Sequence, residues 1–187
     1  MTRIIAGVAG GRRLAVPRGT GTRPTSDRVR ESMFSRLESL GAVDGARVLD
    51  LYAGSGALGL EAVSRGAVSA VLVEADRRAA DLARRNARDL GLDGVRVVTD
   101  RVERYLSTAR RDDEFDLVLC DPPYALAGDA LAAVLAELAP VVAAGGVVAV
   151  ERSARAGEPR WPATLSSIGG RRTGETSVWL AASRPAS

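Results

Sequence analysis

Asp121-Pro122-Pro123-Tyr124 is the stretch of this chain with the most chemistry in it. It follows residues 115–120, an apolar run that reads as a buried strand. Two consecutive prolines cannot donate ladder hydrogen bonds, so the strand must stop there. The result is a stiff loop at a strand's carboxyl end, where open α/β sheets bind ligands. The loop offers the Asp121 carboxylate, the Pro122 carbonyl and the Tyr124 ring. That set suits gripping a flat base by a free amino group. Taken alone, the tetrapeptide also reads as a plain turn with a capping Asp and a packing Tyr.

A second candidate lies upstream, at Asp50-Leu51-Tyr52-Ala53-Gly54-Ser55-Gly56-Ala57-Leu58-Gly59. Its glycines let backbone bend tightly and approach a ligand. The helix that follows presents free amides. Glu74 ends the next strand, where a carboxylate can take both hydroxyls of a ribose. Asp100-Arg101 follows the third strand, and Asp100 can accept from an adenine amino group or cap the next helix. Gly54-x-Gly56-x-x-Gly59 also matches the dinucleotide fingerprint, so a nicotinamide dehydrogenase is a live alternative. Against it stand the lack of room for a second substrate domain and the absence of His and Lys. Asp50 also counts against it, because its carboxylate would repel a pyrophosphate. The same carboxylate would attract the sulfonium and amino groups of S-adenosylmethionine.

The elements that must position these residues alternate strand and helix from residue 46 onward. Strands are expected at 46–51, 68–73, 95–98, 115–120 and 146–151. Helices are expected at 57–65, 77–90, 101–109 and 129–138, with Ala79, Ala83, Ala87 and Leu90 on one face of the second. Such alternation predicts a parallel sheet with helices on both faces. Two further strands, at 164–172 and 175–182, are joined by too short a turn for a crossover and should be antiparallel. Ahead of this core, residues 3–16 read as two short strands around Gly10-Gly11. A helix starts near Thr25-Ser26-Asp27 and shows an apolar stripe of Val29, Met33, Leu37 and Leu40. Arg28, Arg30 and Arg36 fall off that stripe, free for solvent or phosphate.

The bulk numbers fit one domain. The chain has 187 residues, 46% of them hydrophobic and 26% charged, enough for a full core. Net charge is +3, with all 26 cations arginine, and it is unevenly spread. Residues 1–40 set eight arginines against three carboxylates, so a polyanion partner is expected for the N-terminal part. The single cysteine, Cys120, excludes an internal disulfide and reads as a small core residue. With no histidine, Ser-His-Asp and Cys-His catalysis and imidazole metal sites are excluded. No leader or membrane-spanning run is evident, and a cytoplasmic location is expected.

These residues resemble the RsmD family of class I S-adenosylmethionine-dependent amino-methyltransferases. The resemblance rests on Arg3-Ile4-Ile5-Ala6-Gly7, Gly11-Arg12-Arg13-Leu14, Ala53 through Ala62, and Asp121-Pro122-Pro123-Tyr124. Its family-specific part is Arg23-Pro24-Thr25-Ser26-Asp27-Arg28-Val29-Arg30-Glu31. The resemblance implies a Rossmann-like α/β fold, a mostly parallel seven-stranded sheet with an antiparallel C-terminal strand and an N-terminal β-hairpin extension. Residues 1–24 would be a basic hairpin arm and 25–187 the methyltransferase domain. The implied activity is methylation of a guanine exocyclic N2 in 16S ribosomal RNA, within the small ribosomal subunit or its precursor. Methylation of another base, such as adenine N6 of DNA or RNA, is the alternative. Carried over by position, Gly54, Ser55 and Gly56 line the methionine part, Glu74 the ribose and Asp100 the adenine edge. Asp50, Tyr52, Ala53, Ala75, Arg101 and Asp121 complete the expected cofactor set. Asp121 is the expected catalytic carboxylate, assisted by Pro122 and Tyr124. Arg12, Arg13, Arg23, Arg28 and Arg30 are expected on RNA phosphate, and no metal is expected.

Overall fold

A computed structural model describes residues 2–16, 27–109, 114–123, 125–126 and 128–184. Seven strands form one sheet: β3 (Arg47–Leu51), β4 (Ser69–Glu74), β5 (Val95–Thr99), β6 (Phe115–Cys120), β7 (Val142–Ser153), β8 (Leu165–Thr173) and β9 (Thr176–Ser183). Their spatial order is β5-β4-β3-β6-β7-β9-β8. The first five run parallel, and β9 pairs antiparallel with both β7 and β8. β7 starts at Val142, ahead of the expected 146, because Gly145 takes a positive φ of 76° and the ladder to β6 shifts register there.

Helices cover both faces, which explains the largely apolar character of β3 and β6, interrupted by Asp50 and Asp116. Val48, Leu117 and Leu119 face one core together with α1 (Asp27–Ser39), α2 (Ala57–Ser64) and α3 (Arg77–Leu90). Leu49, Leu51, Val118 and Cys120 face the other, with α4 (Val102–Thr108) and α5 (Asp129–Leu138). Alternate residues of one strand thus feed opposite cores. Strand order reverses between β3 and β6, and a crevice at such a reversal is the usual ligand position.

The N-terminal hairpin is shorter as a ladder than expected. Only β1 (Thr2–Arg3) and β2 (Arg13–Leu14) pair. Ile4 and Gly11 still bond across the hairpin, to the Arg12 and Ile4 carbonyls, but four residues between them spend their amides on α2 instead. Ile5 and Ala6 donate to the Glu61 carboxylate at 2.8 and 3.0 Å, Val8 to the Ser64 carbonyl and Ala9 to the Ser64 hydroxyl. Ile4, Ala9 and Leu14 are buried in the same core as α1 and α2. In α1 the expected stripe changes at one end: Phe34 is buried, whereas Leu40 lies beyond the helix end and is 49% exposed. In α3, Ala80 is buried beside Ala83, Ala87 and Leu90, and Ala79 only partly so. Among the described residues no helix is long and apolar enough to cross a membrane.

Candidate active site

The glycine loop leaves β3 at Leu51 and enters α2 at Ala57. Tyr52 sits in the left-handed region at φ 62°, an unfavourable place for a side chain that large. Ala53 then donates to the Val73 carbonyl of β4, and Gly56 to the Ala53 carbonyl. Gly56 needs its positive φ of 85°, and a Cβ there would meet Leu72 and Leu60. At Gly54, φ 55°, a Cβ would point into open space, so the loop presents bare backbone to the crevice.

Carboxylates ring this loop. Asp50 is buried within β3, and one of its oxygens accepts from the Gly59 amide at 2.8 Å. Its other oxygen is buried without a partner among the described residues. Burial pushes the Asp50 carboxyl up to about 8, held back by the Gly59 amide and raised further by the nearby charges of Asp121 and Glu74. Glu74 closes β4, taking the Gly54 amide on one oxygen at 2.8 Å and the Asp76 amide on the other at 2.7 Å. Each oxygen keeps a second acceptor position. Asp100 is held beside it, its amide donating to the Glu74 carbonyl, its carboxylate accepting from the Arg101 amide and lying 3.6 Å from Arg104. The helix cap itself is Arg101, with an exposed side chain, so Asp100 is not spent as a cap. Ala75 is exposed at the end of β4.

Asp121 follows β6 directly, and its amide continues that strand's pairing with the Leu51 carbonyl at 3.5 Å. Asp121 and Pro122 are half-buried. The Pro123 carbonyl accepts from the Leu126 amide, which folds the proline loop into a turn. Tyr124 and Arg23 lie outside the described residues. The Tyr52 ring packs into the second core, and its hydroxyl is buried without a partner among the described residues, its acidity lowered chiefly by burial.

Two expected phosphate contacts are corrected. Arg30 is fully buried: it pairs with Asp27 at 2.9 Å, lies 3.7 Å from Glu61, and donates to the Arg3 carbonyl. It therefore locks α1 to α2 and cannot reach an external phosphate. Arg12 is exposed, but its guanidinium donates to the Leu90 and Asp89 carbonyls at the end of α3. It serves there as a cation at a helix C-terminus. Arg36, expected to be free, donates to the Ile168 carbonyl. Arg13 and Arg28 are exposed.

Three residues that hold the glycine loop or the hairpin were not singled out from sequence. Asn86, buried in α3, donates its amide to the Ser55 carbonyl of the glycine loop at 2.9 Å. The same side chain takes the Ala15 amide and serves the Ala15 carbonyl, both at 3.0 Å. Glu61 and Ser64 do the equivalent for the hairpin. The available sequence signal was a polar residue on an otherwise apolar helix face.

The sheet order, the glycine loop after its first central strand and the proline loop after β6 together define the Rossmann-like fold of class I methyltransferases. The family model described as "Conserved hypothetical protein 95" matches residues 2–182, and the chain belongs to that family, the RsmD family. Ribosomal RNA small subunit methyltransferase D of Escherichia coli K12 is 43% identical over 122 residues, 65% of this chain and 60% of that protein's length. A solved Escherichia coli structure, the putative methyltransferase yhhF, superposes with a TM-score of 0.85 at 32% identity, covering 98% of each chain. A hypothetical protein from Thermus thermophilus gives a TM-score of 0.80 at 37% identity, over 96% of this chain and 98% of its own.

Proposed function

We propose that this protein transfers a methyl group from S-adenosylmethionine to the exocyclic N2 of a guanine in small-subunit ribosomal RNA. One observation carries the reading: Asp50 within β3, Glu74 at the end of β4 and Asp121 just past β6 stand on three adjacent strands around a single glycine loop, with the Gly54 amide on Glu74 and the Gly59 amide on Asp50. Carboxylates so placed disfavour a pyrophosphate and favour a cation. The residues fit that cofactor. Glu74 retains acceptor positions for two hydroxyls, Gly54 leaves space where a side chain would stand, and Asp50 keeps a buried oxygen without a partner. When bound, S-adenosylmethionine supplies an electrophilic methyl on a sulfonium. The RNA substrate comes from the family and from the name of the Escherichia coli relative.

The chain's own residues would act on the nucleophile. A guanine amino group is weakly nucleophilic, because its lone pair is delocalised into the ring. Asp121 and the Pro122 carbonyl can each accept one of its two hydrogens. Accepting both localises the lone pair and aims it out of the ring plane. Holding reactants in line is worth up to roughly 7–11 kcal/mol of a barrier. Tyr124 supplies a stacking ring for a base drawn out of its stack, worth about 1–3 kcal/mol. Arg13, Arg23 and Arg28 would hold phosphate, which positions an RNA without reading its sequence.

The test is methyl transfer from labelled cofactor to separate pools of small subunits, free ribosomal RNA and DNA, followed by mapping of the modified nucleotide. Asp121→Ala should abolish transfer while S-adenosylhomocysteine still binds by calorimetry. Label in DNA alone, or equal loss of transfer and binding, would overturn the reading.

A further inference from the structure

The structure assigns a second RNA-backbone contact surface to the outer face of α3, at the sheet edge opposite β8. The inference rests on the proposed RNA substrate. It starts from the correction above: Arg30 is committed inside the protein and Arg12 is tied to the carbonyls that end α3, so phosphate contacts beyond Arg13, Arg23 and Arg28 call for another source.

That source is α3. At 100° per residue, Arg77, Arg78, Arg84, Arg85 and Arg88 fall within about 120° of arc, opposite the buried Ala83, Asn86 and Leu90. Arg84 is tied to Asp81 at 2.8 Å and to Val97 and Thr99 of β5. Among the described residues, Arg77, Arg78, Arg85 and Arg88 have no carboxylate within ion-pair distance, and all four are turned away from the core. Asp81, Asp89 and Asp93 are the acids on or beside this face. Two of the free arginines, Arg85 and Arg88, line an open groove of about 810 Å³ between α3 and β5. Arg12, seated on the last carbonyls of the helix, and the exposed Arg13 extend the basic run past its end.

A helix of this length covers about 21 Å. That span admits several consecutive phosphates of one strand. Guanidinium forks match phosphate oxygens, and an unpaired surface arginine gives up no ion pair in binding one. The N-terminal end of α3 follows Glu74 and Asp76 directly, so a strand on this face runs toward the cofactor crevice. The occupant is a single-stranded or loop segment flanking the target guanine.

The full chain carrying Arg85→Glu and Arg88→Glu should bind a fluorescent small-subunit ribosomal RNA transcript at least tenfold more weakly than the unmodified chain. Its log-affinity against log-salt slope should fall by roughly 1.4–1.8, as expected for two lost phosphate contacts. S-adenosylhomocysteine affinity and thermal midpoint should be unchanged. The control is Arg171→Glu with Arg172→Glu, exposed on β8 at the far sheet edge, which should leave RNA affinity within about twofold. Unchanged affinity and slope in the α3 variant overturn the inference, as does an equal loss in the β8 variant, which would mark a general charge effect. Loss of binding to anionic vesicles with RNA binding intact would assign the face to a membrane surface and also overturn it. If the unmodified chain methylates no RNA, the proposed function itself falls. If it does methylate RNA and the α3 variant binds RNA normally, only the inference fails.

Discussion

Asn86→Ala tests how the glycine loop is held. The Asn86 side chain makes three hydrogen bonds, one to Ser55 and two to Ala15, from a nearly fully buried position. A net intramolecular hydrogen bond contributes about 0.5–1.5 kcal/mol. Ala15 is exposed, so water can replace its two bonds and their loss falls at the low end. The Ser55 carbonyl is half-buried and loses more. Alanine returns up to ~0.7 kcal/mol through helix propensity. The balance is a loss of about 2 kcal/mol, or ~4–8 °C in Tm for a chain of this size. Asn86→Asp should be worse than alanine, because a carboxylate would then face two carbonyl oxygens. Urea and thermal unfolding read the stability, and calorimetry with S-adenosylhomocysteine reads the loop. Cofactor-analogue affinity should fall in both variants. A Tm change below about 1 °C, or an aspartate no worse than alanine, would refute the bridge.

Asp50 makes stability depend on pH in an unusual direction. Its carboxyl is raised to about 8 in the folded chain, against about 3.9 unfolded, so between those values the folded state holds a proton the unfolded state has lost. Its contribution is complete below pH ~4 and is lost as pH rises toward 8, by up to ~1.4 kcal/mol per unit. Urea midpoints of Asp50→Asn should show a flatter pH profile over that window than those of the unmodified chain. Tyr52→Phe removes a buried hydroxyl without a partner, so it should be neutral or stabilising by up to about 1 kcal/mol in the same unfolding assay. Gly7→Ala places a Cβ 1.7 Å from the Ser64 carbonyl at φ 82°, and should undock the hairpin, seen as faster proteolysis before residue 16.

How much of this could be read from sequence depends on where each residue's partners lie. β3 and β6 were legible because burial on both faces leaves a mostly apolar run, and α3 because its alanines repeat at helical spacing. Glycines and prolines punctuate locally, so both loops were visible. Arg30 was misread because what buries it comes from afar: beyond the local Asp27, it meets Glu61, 31 residues away on another helix, and the Arg3 carbonyl. Before folding, it looks like any surface arginine off an apolar stripe. Asn86 was missed for the same reason: its partners are 31 and 71 residues distant. The hairpin ladder was overextended because its amides had a competing acceptor in α2. The free arginines of α3 needed only helical phase to find, yet net charge by segment averages them against the acids nearby.

Inserting β9 between β7 and β8 orders the events of synthesis. As the ribosome releases the chain, β7 emerges with an unpaired flank, and β8 cannot cover it because, among the described residues, it pairs only with β9. The nascent protein therefore carries a sticky apolar border until residues 176–183 have left the exit tunnel. Truncations or slow translation in that interval should favour aggregation over folding, whatever the condition of the glycine and proline loops.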